Sequence, residues 1–175
     1  ETGTVAFGNT SSSSAAYLMS GGFAYFGGDT RLDNNGAVGL ISQSGGTMVS
    51  ANYFTIARDG GLGVYDLSGG LHYRPANAAQ PFYLGTRADG GNAQVTIRGS
   101  GTLEIEDSYG LYFDRSGART YQMVGMVNLL SGGTVISRTG FPWGNSNALS
   151  IGYVNFNGGT LRASGSSTDY WSGWT

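Results

Sequence analysis

Cysteine and lysine are both absent from the 175 residues, histidine occurs once and proline three times. Without cysteine there is neither a disulfide framework nor a thiolate metal site, so stability has to come from packing and hydrogen bonding. The nine basic residues, all arginine, are outnumbered by eleven acids for a net charge of −2. No basic patch points to nucleic acid or an anionic membrane, and neither is expected as a partner. Charged residues make up only 11% of the chain, against about 25% in an ordinary domain. No apolar run approaches the roughly 18 residues that span a bilayer, so no transmembrane segment is expected. The chain opens on Glu1 rather than on Met with a basic, apolar leader, which reads as a processed product or a fragment.

What is abundant is glycine, 32 residues, about two and a half times the usual share. A flexible Gly/Ser linker would be poor in aromatics, yet 11 Tyr, 8 Phe and 3 Trp supply enough apolar surface to offset chain entropy. The chain therefore folds, with many turns.

A signature recurs along it: a polar residue, a glycine pair, then a short strand-like run. It stands at Ser20-Gly21-Gly22-Phe23, Ser44-Gly45-Gly46-Thr47, Ser68-Gly69-Gly70-Leu71, Gly99-Ser100-Gly101-Thr102, Ser131-Gly132-Gly133-Thr134 and Asn157-Gly158-Gly159-Thr160. The first glycines step by 24, 24, 30, 33 and 26 residues, the size of one solenoid coil and too short for the roughly 40–50 residues of a propeller blade. Counting back from the glycines gives the columns Met19, Gln43, Leu67, Ile97, Leu130, Phe156 and Tyr17, Ile41, Tyr65, Val95, Asn128, Val154. Their spacing of two puts both on one strand face. After the glycines a second inward column reads Ala24, Met48, His72, Leu103, Val135 and Leu161. Third runs such as Phe54–Ala57 and Phe82–Leu84 end in Gly/Asp/Asn corners.

The expected fold is all-β: a right-handed parallel β-helix of about six coils, three strands per coil, with no helix. Residues 1–175 form one domain, with an irregular segment at 1–16 that includes a Ser-rich loop, repeat coils over 17–163 and an aromatic tail at 164–175. Gly21, Gly22, Gly45, Gly46, Gly69, Gly70, Gly132, Gly133, Gly158 and Gly159 are the expected structural corners, because glycine alone enters φ > 0 without penalty.

The stretch Val154-Asn155-Phe156-Asn157-Gly158-Gly159-Thr160-Leu161-Arg162-Ala163-Ser164, running on to Trp171–Thr175, closely resembles the autotransporter-associated β-strand repeat, and Ile41–Thr47 and Val64–Leu71 are similar to its looser forms. The resemblance implies passage across a Gram-negative envelope, a parallel β-helical passenger on the bacterial cell surface or outside the cell, and no catalytic residues.

Candidate sites are few. His72, the only histidine, lacks a nucleophile motif around it and stands in an apolar column, which favours a packed core residue over a catalytic one. Glu104, Glu106 and Asp107 are the densest acidic group. Paired carboxylates serve glycoside hydrolysis and oxygen sites hold Ca²⁺, but the alternation through Leu103–Glu106 is that of a strand with a solvated outer face. Asp59, Asp89 and Asp114 with Arg58, Arg87 and Arg115 would suit a lyase if gathered on one wall, and suit corner salt links better. Thr10–Ala16 reads as a loop, and Asn9-Thr10-Ser11 matches a glycosylation acceptor. Tyr112, Tyr121, Trp143 and Trp171 are candidates to stack on sugars.

The expected role is therefore non-enzymatic, without cofactor or metal: a rigid rod or filament-forming segment of a surface or extracellular protein. A carbohydrate-binding or adhesive module is the alternative, and a polysaccharide lyase or hydrolase rests on fold analogy alone. The expected partners are further copies end to end, with Tyr170, Trp171 and Trp174 at the junction, and surface glycans. The polar Gln43 and Asn128 in apolar columns are expected to have their amides paired.

Overall fold

The protein is described here by a computed structural model covering residues 3–86, 91–113, 122–142, 150–167 and 170–171. Arg87, Asp89, Asp114, Arg115, Tyr121, Trp143 and Trp174 lie outside the described residues.

The period read from the glycines becomes a winding chain. A first coil runs through β1 (Val5–Phe7), β2 (Ser14–Met19) and β3 (Phe23–Phe26). The second has β4 (Thr30–Leu32), β5 (Val38–Gln43) and β6 (Thr47–Ser50). The third has β7 (Phe54–Arg58), β8 (Leu62–Leu67) and β9 (Leu71–Arg74). The fourth has β10 (Phe82–Thr86), β11 (Gly91–Ile97) and β12 (Thr102–Ile105). The fifth has β13 (Leu111–Phe113), β14 (Met123–Leu130) and β15 (Thr134–Ser137), and β16 (Ser150–Asn157) and β17 (Thr160–Ala163) follow. Successive coils stack into three sheets, ordered β1-β4-β7-β10-β13, β2-β5-β8-β11-β14-β16 and β3-β6-β9-β12-β15-β17. Every strand pairing in them is parallel. The result is a β-solenoid of about five turns with three strands per coil.

One core runs down the middle. Ile41, Tyr65, Val95 and Val127 stack on the second sheet, Met48, His72, Leu103 and Val135 on the third, and Leu32, Ile56, Leu84 and Phe113 on the first, all fully buried. A column absent from the expectation lies beside the first-to-second corner: Ala15, Gly39, Gly63, Ala93, Gly125 and Gly152. Small residues are needed there because the corner is tight. A Cβ on Gly39 would stand 2.7 Å from the backbone N of Asp33, and one on Gly63 2.7 Å from Ile56.

The glycine pairs divide their labour. Gly70 takes φ +79°, whereas Gly69 is required by closeness, since its Cβ would stand 2.4 Å from the Ser44 carbonyl one coil earlier. Gly45 bears on the Ser20 carbonyl in the same way, and Gly21 meets nothing.

In the layout of its strands the structure differs from the sequence reading in three places. Val127 and Leu129, not Asn128 and Leu130, face the core. Gly132 stands three residues after the inward Leu129, whereas Gly21, Gly45, Gly69 and Gly99 stand two after Met19, Gln43, Leu67 and Ile97, so counting back two from Gly132 slips the register by one, which turns every side chain over. Second, the first coil begins at Val5, inside the segment expected to be irregular. Third, the ladder of the first sheet runs on past β13. Phe113 N donates to Pro142 O at 3.0 Å, and Phe141 N donates to Tyr170 O at 2.9 Å, so part of the aromatic tail lies along the sheet edge.

Candidate functional site

The densest polar constellation is built where β6, β9 and the corner after β12 meet. Ser50 and Arg74 hold equivalent inward positions on neighbouring strands, and Asp107 lies two residues beyond Ile105, the next member of that column. The Arg74 guanidinium is completely buried. Its Nε donates to Asp107 Oδ2 at 2.9 Å, and one Nη donates to Ser50 Oγ and to the Asn52 carbonyl, each at 3.0 Å. The other Nη donates to the Gln80 carbonyl, and the plane lies 6.0 Å from the Phe82 centroid. The second carboxylate oxygen of Asp107 accepts from the backbone N–H groups of Tyr109 and Gly110, both at 2.9 Å. A buried charge demands this degree of pairing. Burial pulls the arginine below its ordinary range, and Asp107 opposes that pull.

His72 joins the network from the side, its Nε2 2.8 Å from Ser50 Oγ. Its ring sits among Phe54, Tyr65 and Phe82 at centroid distances of 4.8, 5.4 and 5.7 Å. Burial first, and the charge on Arg74 second, push it down to about 3, so the ring is neutral at physiological pH. A serine within hydrogen-bond reach of a histidine is the skeleton of a nucleophile and its base. Here both are sealed in the core, Ser50 1% exposed and His72 0%, and the serine oxygen already accepts from the guanidinium. Neither side chain is open to solvent, and the contacts of both lie within the core.

The acidic trio is not one site. Glu104 is half-buried on the outer face of the third sheet between Tyr73 and Ile136, and Glu106 lines a surface groove. Asp107, expected on a solvated face with them, is the interior partner of Arg74. Arg58 pairs at 3.2 Å with its neighbour Asp59. Tyr112 lies 5.8 Å from Tyr83, itself 4.9 Å from Tyr53, in an aromatic file down the first sheet. Trp171 is 41% exposed and stacks on Phe141 at 5.2 Å and 22°. Ser13 Oγ pins the Ser-rich loop by accepting from Asn9 N and Thr10 N at 2.9 and 3.0 Å, and Ser14–Ala16 are already strand. Gln43 is buried and paired as expected, accepting from Tyr65 Oη at 2.9 Å and donating to Leu71 O at 3.0 Å. Asn128 instead points outward, in an amide and hydroxyl ladder with Thr96 and Asn155.

Two features escaped the sequence. Arg74 gave no signal, because nothing in Leu71–Arg74 distinguishes an inward arginine from an outward one. Asp33 is likewise hidden in a corner. It is fully buried with φ +56°, its Oδ1 accepts from Ala57 N at 2.9 Å, and its Oδ2 has no partner. Burial raises it to about 8, against the opposing pull of the Ala57 and Arg58 amides.

A polar groove of about 500 Å³ opens at the third-to-first corner, lined by Glu106, Arg138, Thr139 and Ser164–Ser167. Among the described residues no three His, Asp or Glu side chains come together as a metal site, and no helix is long and apolar enough to cross a membrane. The chain matches no family model, no curated protein and no solved structure.

Proposed function

We propose that this chain is a non-enzymatic structural segment of an extracellular or bacterial cell-surface protein, a rigid rod whose copies associate end to end. One observation carries the reading: the groups with catalytic potential, Ser50, His72, Arg74 and Asp107, are spent on holding coils together in an unbroken core. The winding is right-handed, as nearly all parallel β crossovers are, and β16 and β17 belong to a sixth coil. The resemblance of Val154–Ser164 to the autotransporter-associated repeat supports export. Tyr170 and Trp171, laid along the outermost rung of the first sheet, supply amphipathic rings for a junction, together with Trp174. Electron microscopy of the purified chain tests this. Rods longer than one chain, lost on deletion of residues 170–175, are expected. Single particles at high concentration, or rods indifferent to the deletion, overturn it.

A carbohydrate-binding role is the second reading, favoured by the hydroxyl-rich groove beside Glu106 and Arg138. A glycan array on the intact chain and on Arg138→Ala tests it: loss of a bound glycan in the variant supports this reading, and an array without signal removes it.

A further inference from the structure

The outer face of the second sheet carries a pattern that the core does not use. Strand alternation sends two columns of side chains outward in register. The second and third coils present Val38 with Leu40 and Leu62 with Val64, the fourth presents Asn92 with Gln94, and the next two strands present Val124 with Met126 and Ile151 with Tyr153. Val38, Leu62 and Tyr153 are 45%, 43% and 52% exposed. A recess of about 190 Å³ lies at the middle, between Leu62 and Val64 on one side and Val124 and Met126 on the other. We propose that this face docks a second copy of the chain, with the Asn92 and Gln94 coil of one copy against that of the other.

From the second coil onward the order is apolar, apolar, amide, apolar, apolar, which reads the same in both directions, and the first coil adds a Ser14 and Ala16 rung beyond it. Two copies faced about a two-fold axis lying along the fourth coil therefore put apolar coils on apolar coils and amides on amides. An isologous contact requires such self-complementarity. A primary amide meets the demand at the centre, because it carries donors and an acceptor and can pair with its own copy, whereas a carboxylate or an ammonium would repel itself. Five coils about 4.8 Å apart and strands of about 20 Å give roughly 500 Å² per copy, or about 1,000 Å² in all, the lower bound of a specific interface. The stripe is bordered by polar groups, the Asp66–Arg98 pair at 2.8 Å and the Thr96–Asn128 contact at 3.4 Å, as an interface rim is. The contact is lateral and does not depend on the end-to-end association.

The absence of native cysteine makes the test direct. Gln94→Cys is expected to give a disulfide-linked pair under mild oxidation, and Glu104→Cys, on the outer face of the third sheet, is not. Val64→Arg and Met126→Arg, combined with Gln94→Cys, should cut the linked fraction at least tenfold while circular dichroism keeps the parent strand signature. Deleting residues 170–175 should leave the linked pair intact, which separates this contact from the end-to-end one. Equal cross-linking from positions 94 and 104, or none from 94, overturns the proposal. So does a linked fraction that folded arginine variants leave unchanged, and the two single-cysteine chains decide the matter even if those variants fail to fold.

Discussion

Single residues carry the strictest demands in this fold, and the glycine pairs show it best. Gly69 and Gly21 occupy the same place in the repeat, but a methyl group at 69 collides with the Ser44 carbonyl whereas at 21 it meets open space. Gly69→Ala is expected to lose about 1–3 kcal/mol by overpacking, and Gly21→Ala to stay within about 0.5 kcal/mol, as measured by denaturant unfolding. Asp33 makes a second demand. Its carboxyl is raised from 3.8 to about 8 in the folded chain, so folding takes up a proton anywhere between those values. The associated stability is complete below about pH 4 and is lost as pH rises through 8, opposite to the usual carboxylate. Unfolding free energy should fall by a few kcal/mol at most between pH 5 and pH 8. Asp33→Asn, which mimics the neutral acid, should flatten that slope and be the more stable chain at pH 8.

At the scale of strands and corners, the sequence was legible wherever the period of two was undisturbed. The inward columns through β5, β8, β9, β11 and β12 were read correctly, His72 among them, because the first glycine of the corners after β5, β8 and β11 stands two residues after the last inward side chain. The reading slipped at β14, where Gly132 stands three residues after the inward Leu129 instead of two, a difference that glycine spacing cannot report. Val127→Asn should then cost about 2–4 kcal/mol by burying an unpaired amide, while Asn128→Leu on the outer face should be close to neutral by thermal melting. Gln43→Leu leaves the Tyr65 hydroxyl without its acceptor and should cost about 1–3 kcal/mol. Arg74 and Asp107 were illegible for a different reason. Nothing local marks an inward charge, and the partner lies 33 residues away in the chain.

Across the whole molecule, stability is shared between neighbouring coils, as in any solenoid. The Arg74 network departs from that rule, because Ser50, Arg74 and Asp107 belong to three successive coils. Asp107→Asn leaves an uncompensated buried guanidinium and should cost about 3–5 kcal/mol. Hydrogen exchange in that variant should rise together in β6, β9 and β12 while β15 and β17 keep their protection.

That clamp also sets how the molecule would behave under load. Pulled from its C-terminal end, a stack of parallel coils peels one rung at a time, and each released coil of 24–33 residues adds roughly 80–115 Å of slack. Peeling would proceed at modest force until it reached the corner after β12, where Asp107 must be torn from Arg74 before the third coil can open. The remaining coils would then yield only at higher tension, so that a stack loaded in this way would lengthen first and lock afterwards.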